Sequence, residues 1–182
     1  MITLSNERYE EIKNIVVDTF ESFDIHCTPI SGFELASQMG VTVIPYSAYS
    51  QKIVQELMMK RSEDGFSVMR NNKWYMYYND KKKYGRINNT IMHENGHIVL
   101  DHTEDSALAE KEANFFAKFA LAPPVLIHKF NLINAYEVAE RFEISDEAAD
   151  YAWDYYNKWL HYGGQYYKNY EIRLCNLFGI AV

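Results

Sequence analysis

Two histidines, four residues apart, enclose a glutamate in the segment His93-Glu94-Asn95-Gly96-His97. On a helix, residues at this spacing lie on one face, so both imidazoles can bind one metal ion. Glu94 follows His93 directly and can reach a water molecule beside that metal rather than the metal itself. A metal lowers the pKa of such a water, and a carboxylate at that place can take its proton. The pattern predicts hydrolytic metal chemistry, with His93 and His97 as ligands and Glu94 as the catalytic base.

The residues around this segment favour a buried helix over an exposed one. The flanking residues are apolar, namely Ile91, Met92, Ile98, Val99 and Leu100. Histidine and glutamate side chains buried among such residues need polar partners, and a metal ion provides them. The alternative is two surface histidines and a solvated glutamate on a helix, and the apolar neighbours weaken it.

A catalytic metal site of this kind needs a third protein ligand and one open coordination position. The route through H-E-x-x-H-x-x-G-x-x-H fails, because Leu100 and Thr103 stand at the required Gly and His positions. His102 comes one residue early and lies about 180° round the helix from His93. We therefore expect His102 to interact with the carbonyl groups at the helix end.

A glutamate on the following predicted helix is the other route to a third ligand. Glu110 and Asn114 are four residues apart and share one face. Glu110 can bind the metal, while Asn114 can accept a hydrogen bond from a ligand histidine and fix its tautomer. Glu112 lies about 200° from Glu110 round the helix and is expected to face elsewhere. The alternative for Glu110 is a surface acid, but the preceding motif favours a ligand. Zinc is preferred, although this ligand set also admits manganese, iron or cobalt.

The composition describes an ordinary globular chain. Its 182 residues are 48% hydrophobic and 24% charged, which excludes a disordered protein. A net charge of −7 argues against nucleic-acid binding through a broad basic face. No apolar run reaches about 18 residues, and the N-terminus lacks the pattern of a signal peptide. We therefore expect a cytoplasmic protein that binds neither nucleic acid nor membranes directly.

Periodicity and capping residues predict the elements that position these side chains. N-terminal helices are expected in residues 1–60, a hairpin in 65–79, a metal-binding helix pair in 86–121 and an aromatic-rich helical region in 134–182. A short strand is expected near 41–45, and Asn71-Asn72 is expected in the hairpin turn. The result is an α+β fold, mostly helical, in one domain spanning 1–182, with a small antiparallel sheet before the H-E-x-x-H helix.

Beyond the motif itself, the segment from Arg86 to His102 resembles the ImmA/IrrE family of metallopeptidases, with Arg and Thr before the motif and Leu-x-His after it. The resemblance continues from Glu110 to Pro123 through the pattern E-x-E-A-N-x-F-A. A further similar segment lies between Phe142 and Ala149, where the family has F-x-V-S-x-x-A-A. Asn95 departs from the family pattern, in which an apolar residue is commoner there. It lies off the face of the two histidines, so we expect little effect on metal binding.

This resemblance implies a zinc-dependent, gluzincin-like peptidase core with a zincin-like fold. It implies His93, His97 and Glu110 as metal ligands and Glu94 as the catalytic base. It also implies a protein substrate, a helix-turn-helix transcriptional repressor that is often encoded beside the peptidase on a phage or mobile element. Two alternatives are a non-catalytic, zinc-containing antirepressor and a partner in a toxin–antitoxin pair.

Several further residues are candidates for supporting roles. The segment Trp74–Tyr78 is the candidate edge strand for pairing with an extended peptide, with core packing as the alternative. Arg86 either anchors the metal-binding helix or orients a carboxylate. Tyr136 and His128 are candidates for oxyanion stabilisation. The aromatic side chains of residues 151–170 either form a protein-binding surface or cover the core.

Overall fold

The computed structural model describes residues 3–104, 106–164 and 166–182. Its fold is α+β and mostly helical, as predicted from the sequence. In the described ranges, no helix has both the length and the apolar composition needed to cross a bilayer. The elements are α1 (Asn6–Ser22), α2 (Gly32–Gln38), β1 (Thr42–Pro45), a 3-10 turn (Tyr46–Ala48), α3 (Gln51–Lys60), β2 (Gly65–Arg70), β3 (Lys73–Tyr78), α4 (Tyr84–Val99), α5 (Ala107–Leu121), α6 (Pro124–Lys129), α7 (Ala135–Phe142), α8 (Asp146–His161) and α9 (Asn169–Leu177).

Short polar side chains mark where several of these helices begin. At each of these positions a side-chain oxygen accepts a hydrogen bond from the backbone N–H three residues on, which has no partner within the helix. The capping residues are Ser5, Ser31, Ser106, Asn134 and Ser145. The starts of these five helices are therefore encoded locally in the sequence.

The three strands form a mixed sheet in the order β1-β3-β2. Strands β2 and β3 are the predicted hairpin and pair antiparallel, while β1 pairs parallel with β3. Asn71 and Asn72 both have positive φ, 50° and 58°, in the two-residue turn. Asparagine tolerates this backbone better than most residues, and the turn matches the twist of the flanking strands.

This strand order corrects the expected role of Trp74–Tyr78. The segment belongs to β3, which has a strand on each side and therefore lies in the centre of the sheet. The strand beside the metal-binding helix that lies at an edge is β2. A peptide that adds to the sheet on that side would pair with β2 instead.

Helix α4, which carries the H-E-x-x-H motif, lies between two apolar clusters. Ile91 packs in the smaller cluster with Met76 of β3 and Ala36 of α2. The next residue, Met92, packs in the larger cluster, to which α1 and the helices from α5 onward contribute. Because consecutive residues of α4 face different cores, the helix is held from two sides, and its remaining face is left for the motif.

Two asparagines on α4 hold it against the start of α2. Asn88 Oδ1 accepts from the Gly32 N–H at 2.7 Å, and Asn88 Nδ2 donates to the Ile30 carbonyl at 2.9 Å. Two turns later, Asn95 Nδ2 donates to the Gly32 carbonyl at 2.8 Å. A Cβ on Gly32 would lie 2.9 Å from the Met92 nitrogen, so only glycine permits this approach. Asn95 therefore faces α2, away from His93, as expected.

Candidate metal centre

Helices α4 and α5 pack closely where the motif lies. A Cβ on Gly96, within the motif, would lie 3.1 Å from the Phe116 ring of α5. The absence of a side chain at Gly96 lets α4 and α5 lie close together beside the two histidines. Glu110 lies in the first turn of α5. The sequence prediction of a helix pair around the motif thus corresponds to a direct contact between α4 and α5.

The side chains of His93, His97 and Glu110 converge on one point. The two Nε2 atoms of His93 and His97 lie 3.0 Å apart. Glu110 Oε2 lies 3.5 Å from Nε2 of His93, and its Oε1 lies 3.3 Å from Nε2 of His97. One ligand atom from each of the three residues falls within 4.8 Å of the others.

These separations fit a divalent transition metal. An ion bound tetrahedrally at about 2.0–2.1 Å from each ligand holds neighbouring ligand atoms about 3.3 Å apart. The distance between the two Nε2 atoms, 3.0 Å, and the distances from each Nε2 to one Glu110 oxygen, 3.5 Å and 3.3 Å, lie close to that value. Two imidazoles and one carboxylate are donors that zinc and its neighbours in the first transition row accept. The three residues can therefore hold such an ion without rearrangement of the backbone.

His93 is in the protonation state that a ligand requires. Its burial, reinforced by the neighbouring His97, lowers the pKa of His93 to about 4. The imidazole is therefore neutral near pH 7 and has a lone pair to donate. Asn114 contacts both candidate ligands, because its side chain hydrogen-bonds to His93 and its Nδ2 donates to the Glu110 carbonyl at 2.7 Å. The Asn114 side chain therefore lies beside His93, one of the two candidate ligand histidines.

Glu94 lies beside this cluster and is held by the sheet. Glu94 is only 9% exposed, and its Oε2 accepts a hydrogen bond from the Ser67 hydroxyl at 2.7 Å. Ser67 belongs to β2, so the candidate base is oriented by the edge strand. Ser67 could not be predicted from the sequence, because nothing about a serine within a predicted strand indicates which helix its side chain faces.

A cleft of about 770 Å³ opens above these residues. Its walls come from β2 and the segment before it, from α4, from the loop after α4 and from the start of α5. The residues that line it include Asp64, Gly65, Phe66, Ser67, Val68, Met69, Trp74, Thr90, His93, Glu94, His97, His102, Glu110 and Asn114. The candidate ligands, the candidate base and the edge strand therefore share one opening.

The two candidates for oxyanion stabilisation do not line this cleft. Tyr136 is 70% exposed on α7, and His128 of α6 hydrogen-bonds to the Tyr156 hydroxyl at 3.1 Å. His128 also packs against the rings of Trp159 and Tyr167. Much of the C-terminal aromatic group thus packs within this region, whereas Tyr162 and Tyr166 are over 80% exposed.

Arg86 orients a carboxylate and in doing so anchors α4. Its Nε and Nη2 donate to the two oxygens of Asp64, each at 2.7 Å. The guanidinium lowers the pKa of Asp64, which keeps the carboxylate charged. Asp64 directly precedes β2, so the pair joins the first turn of α4 to the edge strand. Both roles considered from the sequence are therefore served by one contact.

His102 was expected to meet helix-end carbonyls, and that expectation was wrong. Its Nδ1 lies 3.0 Å from Nδ1 of His97, and its Nε2 lies 3.0 Å from Oε2 of Glu112. The helical angle used for the prediction does not apply, because α4 ends at Val99 and Asp101 has a left-handed backbone with φ of 53°. The reversal turns His102 back towards the motif.

Glu112 faces away from Glu110, as expected, but it contacts His102, which in turn contacts His97. It is 6% exposed and accepts two hydrogen bonds from Arg8, each at 2.7 Å. Hydrogen bonding to Arg8 lowers the pKa of Glu112 in spite of its burial, so it is a carboxylate at neutral pH. No local pattern connects Arg8 with Glu112, since 104 residues separate them.

The fold and the site together define a class of protein. A helix-borne histidine pair enclosing a glutamate, with a carboxylate from the next helix and an edge strand above, is the arrangement of a metallopeptidase domain. The family model for Peptidase_M78, the IrrE N-terminal-like domain, matches residues 36–154, which is more than half of the chain. The chain therefore belongs to this family, and the ImmA/IrrE resemblance is confirmed. Searches of curated proteins and of solved structures find no match.

Proposed function

We propose that this chain is a zinc-dependent, site-specific endopeptidase of the cytoplasm that cleaves a protein. The observation that carries the proposal is the shared cleft in which Glu94 adjoins His93, His97 and Glu110, whose ligand atoms lie within 4.8 Å of one another. Membership of a metallopeptidase family supports it. The substrate we propose is a helix-turn-helix transcriptional repressor of a phage or mobile element.

The chain's own residues divide the work of peptide hydrolysis. His93 and His97 would hold zinc as neutral imidazoles, and Glu110 would add the single negative charge of the ligand set. Zinc, when bound, supplies a Lewis acid for the scissile carbonyl and for the attacking water. Glu94 takes the proton of that water and delivers it to the leaving amine. Ser67 keeps the Glu94 carboxylate turned into the cleft while it does so.

The edge strand β2 offers a place for the substrate backbone. An extended peptide can add to a sheet edge through main-chain hydrogen bonds, with alternate side chains entering pockets. Residues Gly65–Met69 of β2 line the cleft, and Ser67 in their middle contacts Glu94. A peptide paired with β2 would therefore run past the catalytic base and the metal ligands.

The charge of the chain is consistent with a DNA-binding protein as substrate. The net charge is −7, and an acidic protein attracts a basic partner at long range. The family resemblance supplies the more specific link to helix-turn-helix repressors. We expect contact with the repressor protein and not with its DNA.

The test is mass spectrometry of the repressor encoded beside this gene after incubation with the zinc-loaded protein. We expect one discrete cut, slowed at least about 100-fold in Glu94→Gln, since a general base contributes that much or more. Glu140→Gln is the matched control, because Glu140 is exposed on α7 and does not line the cleft. It should cleave at the wild-type rate.

Two outcomes would contradict the proposal. Relief of repression by Glu94→Gln equal to wild type, with the repressor intact, would indicate the non-catalytic antirepressor instead. If expression of this protein arrests growth only when the adjacent gene product is absent, and the repressor is not cleaved, the protein is part of a toxin–antitoxin pair.

A further inference from the structure

A chain of hydrogen bonds leads from the candidate ligand His97 to the N-terminal helix α1. His97 Nδ1 meets Nδ1 of His102 at 3.0 Å, and His102 Nε2 meets Glu112 Oε2 at 3.0 Å. Arg8 of α1 closes the chain with two hydrogen bonds to the Glu112 carboxylate. The side chains of His102 and Glu112 are only 10% and 8% exposed, so these contacts are largely shielded from water.

Metal binding would determine which nitrogen carries the proton on His97 and on His102. His97 turns its Nε2 towards His93 and Glu110, so a metal there requires the lone pair on Nε2 and the proton on Nδ1. That proton can be donated to His102 only if His102 Nδ1 accepts, which places the His102 proton on Nε2. The His102 Nε2–H then donates to Glu112, a carboxylate that can only accept.

We propose that His102, Glu112 and Arg8 are positioning residues that hold His97 in the tautomer and ring orientation which binds metal through Nε2. The proposal rests on the metal centre proposed above and concerns residues that are not themselves candidate metal ligands. Partners of this kind fix the ring of a ligand histidine and strengthen its donor atom. Since Arg8 lies in α1 and His97 in α4, the arrangement also makes metal affinity depend on the docking of the N-terminal helix.

The competing explanation is a plain structural tether, in which Arg8 and Glu112 only join α1 to α5. Arg8 provides the means to separate the two, because it also pairs with Glu11 at 2.7 Å. Glu11 is 59% exposed at its side chain and belongs to α1 itself. Glu112→Gln and Glu11→Gln each remove one ionic partner of Arg8, but only Glu112 contacts His102.

The experiment measures the zinc dissociation constant of the full chain by competition with a chromophoric chelator. Thermal unfolding in excess chelator reports the stability of the metal-free fold of each variant. We expect Glu112→Gln to weaken zinc binding by about threefold to tenfold, at or below the usual effect of removing a direct partner, because glutamine still accepts the His102 proton but lacks the charge. Glu11→Gln should bind zinc within about twofold of wild type, as expected for an exposed pair.

A second pair of variants tests the hydrogen bond itself. His102→Ala and His102→Asn both lose the contact with Glu112, but asparagine keeps an oxygen that can accept the His97 Nδ1 proton. We expect His102→Ala to weaken zinc binding about tenfold and His102→Asn to recover part of that loss, because it restores the acceptor for His97 but not the contact with Glu112. A structural tether would give no such recovery.

The outcomes separate this inference from the function on which it rests. Failure of the wild-type chain to bind zinc would overturn the metal centre and this inference together. Zinc binding by wild type that Glu112→Gln leaves unchanged, with only a lower unfolding temperature, would overturn this inference alone. Equal zinc affinity of His102→Ala and His102→Asn would also overturn it.

Discussion

The Ser67 hydroxyl donates a hydrogen bond to the Glu94 carboxylate across 2.7 Å, from the edge strand β2 to helix α4. One contact therefore joins the proposed peptide-binding strand to the proposed base. A largely buried carboxylate needs such donors to stay in place, because water reaches it poorly. The position of the strand and the orientation of Glu94 are consequently linked.

Replacing Ser67 by alanine should lower kcat/KM for repressor cleavage by about tenfold, since hydrogen bonds to charged groups are worth about 1.5–3 kcal/mol. The zinc dissociation constant should not change, because Ser67 contacts Glu94 and not a candidate ligand. Ser67→Thr retains the hydroxyl and should keep most of the activity. Cleavage by Ser67→Ala at the wild-type rate would show that the contact does not orient the base.

Acid should destabilise the metal-free protein through His93. Its pKa falls from 6.5 to about 4 on folding, so between these values the unfolded chain binds a proton that the folded chain does not. The free energy of unfolding therefore decreases as the pH is lowered through this window. Urea unfolding at a series of pH values should show a shallower decline for His93→Asn.

The matched control for that measurement is His161→Asn, because His161 is exposed near the end of α8. Its pH dependence should follow that of wild type. If His93→Asn and wild type lose stability in parallel between pH 6.5 and 4, His93 does not carry the effect.

Adding a methyl group at Gly96 should weaken metal binding. The new Cβ would lie 3.1 Å from the Phe116 ring, so α4 and α5 must separate or the ring must move. Overpacking of this kind costs about 1–3 kcal/mol, partly offset by the better helix propensity of alanine, about 1 kcal/mol. We expect zinc affinity to fall about fivefold, near the low end of that overpacking cost.

The double variant Gly96→Ala with Phe116→Leu provides the control for this prediction. A smaller side chain on α5 makes room for the added methyl group and should return zinc affinity towards that of Phe116→Leu alone. Unchanged affinity in Gly96→Ala itself would mean that the helices can adjust without moving Glu110.

The largest loss of stability is expected from Asn88→Ala. Asn88 is fully buried, and its removal leaves the Gly32 N–H and the Ile30 carbonyl without their partner. Each buried unsatisfied group costs about 1–3 kcal/mol, so we expect a total of about 2–6 kcal/mol by urea unfolding. Asn14→Ala, which removes one half-buried bond to the Glu10 carbonyl, should cost much less. Equal losses of stability in Asn88→Ala and Asn14→Ala would show that the hydrogen bonds of Asn88 to the start of α2 are not specially stabilising.

Local patterns predicted much of this protein. The spacing of His93 and His97 placed two imidazoles on one helix face, and Asn71-Asn72 located the hairpin turn. Serines at positions such as Ser5 and Ser145 marked helix starts. Glu110 followed from the need for a third ligand on the next helix. Apart from Glu110, which came from the ligand requirement, these features depend on residues within a few positions of one another, where backbone geometry alone decides which side chains meet.

Features that join distant segments were decided by the tertiary structure. The sequence indicated the strands but not their order, so β3 was expected at the edge that β2 occupies. The orientation of His102 was predicted from helical geometry, but the helix ends before His102 and the backbone reverses at Asp101. Arg8 reaches Glu112 because α1 packs on α5 through apolar residues. No polar sequence pattern indicates that these two helices pack together. Such contacts depend on the packing of whole elements, and packing joins residues according to shape and burial, independently of their separation along the chain.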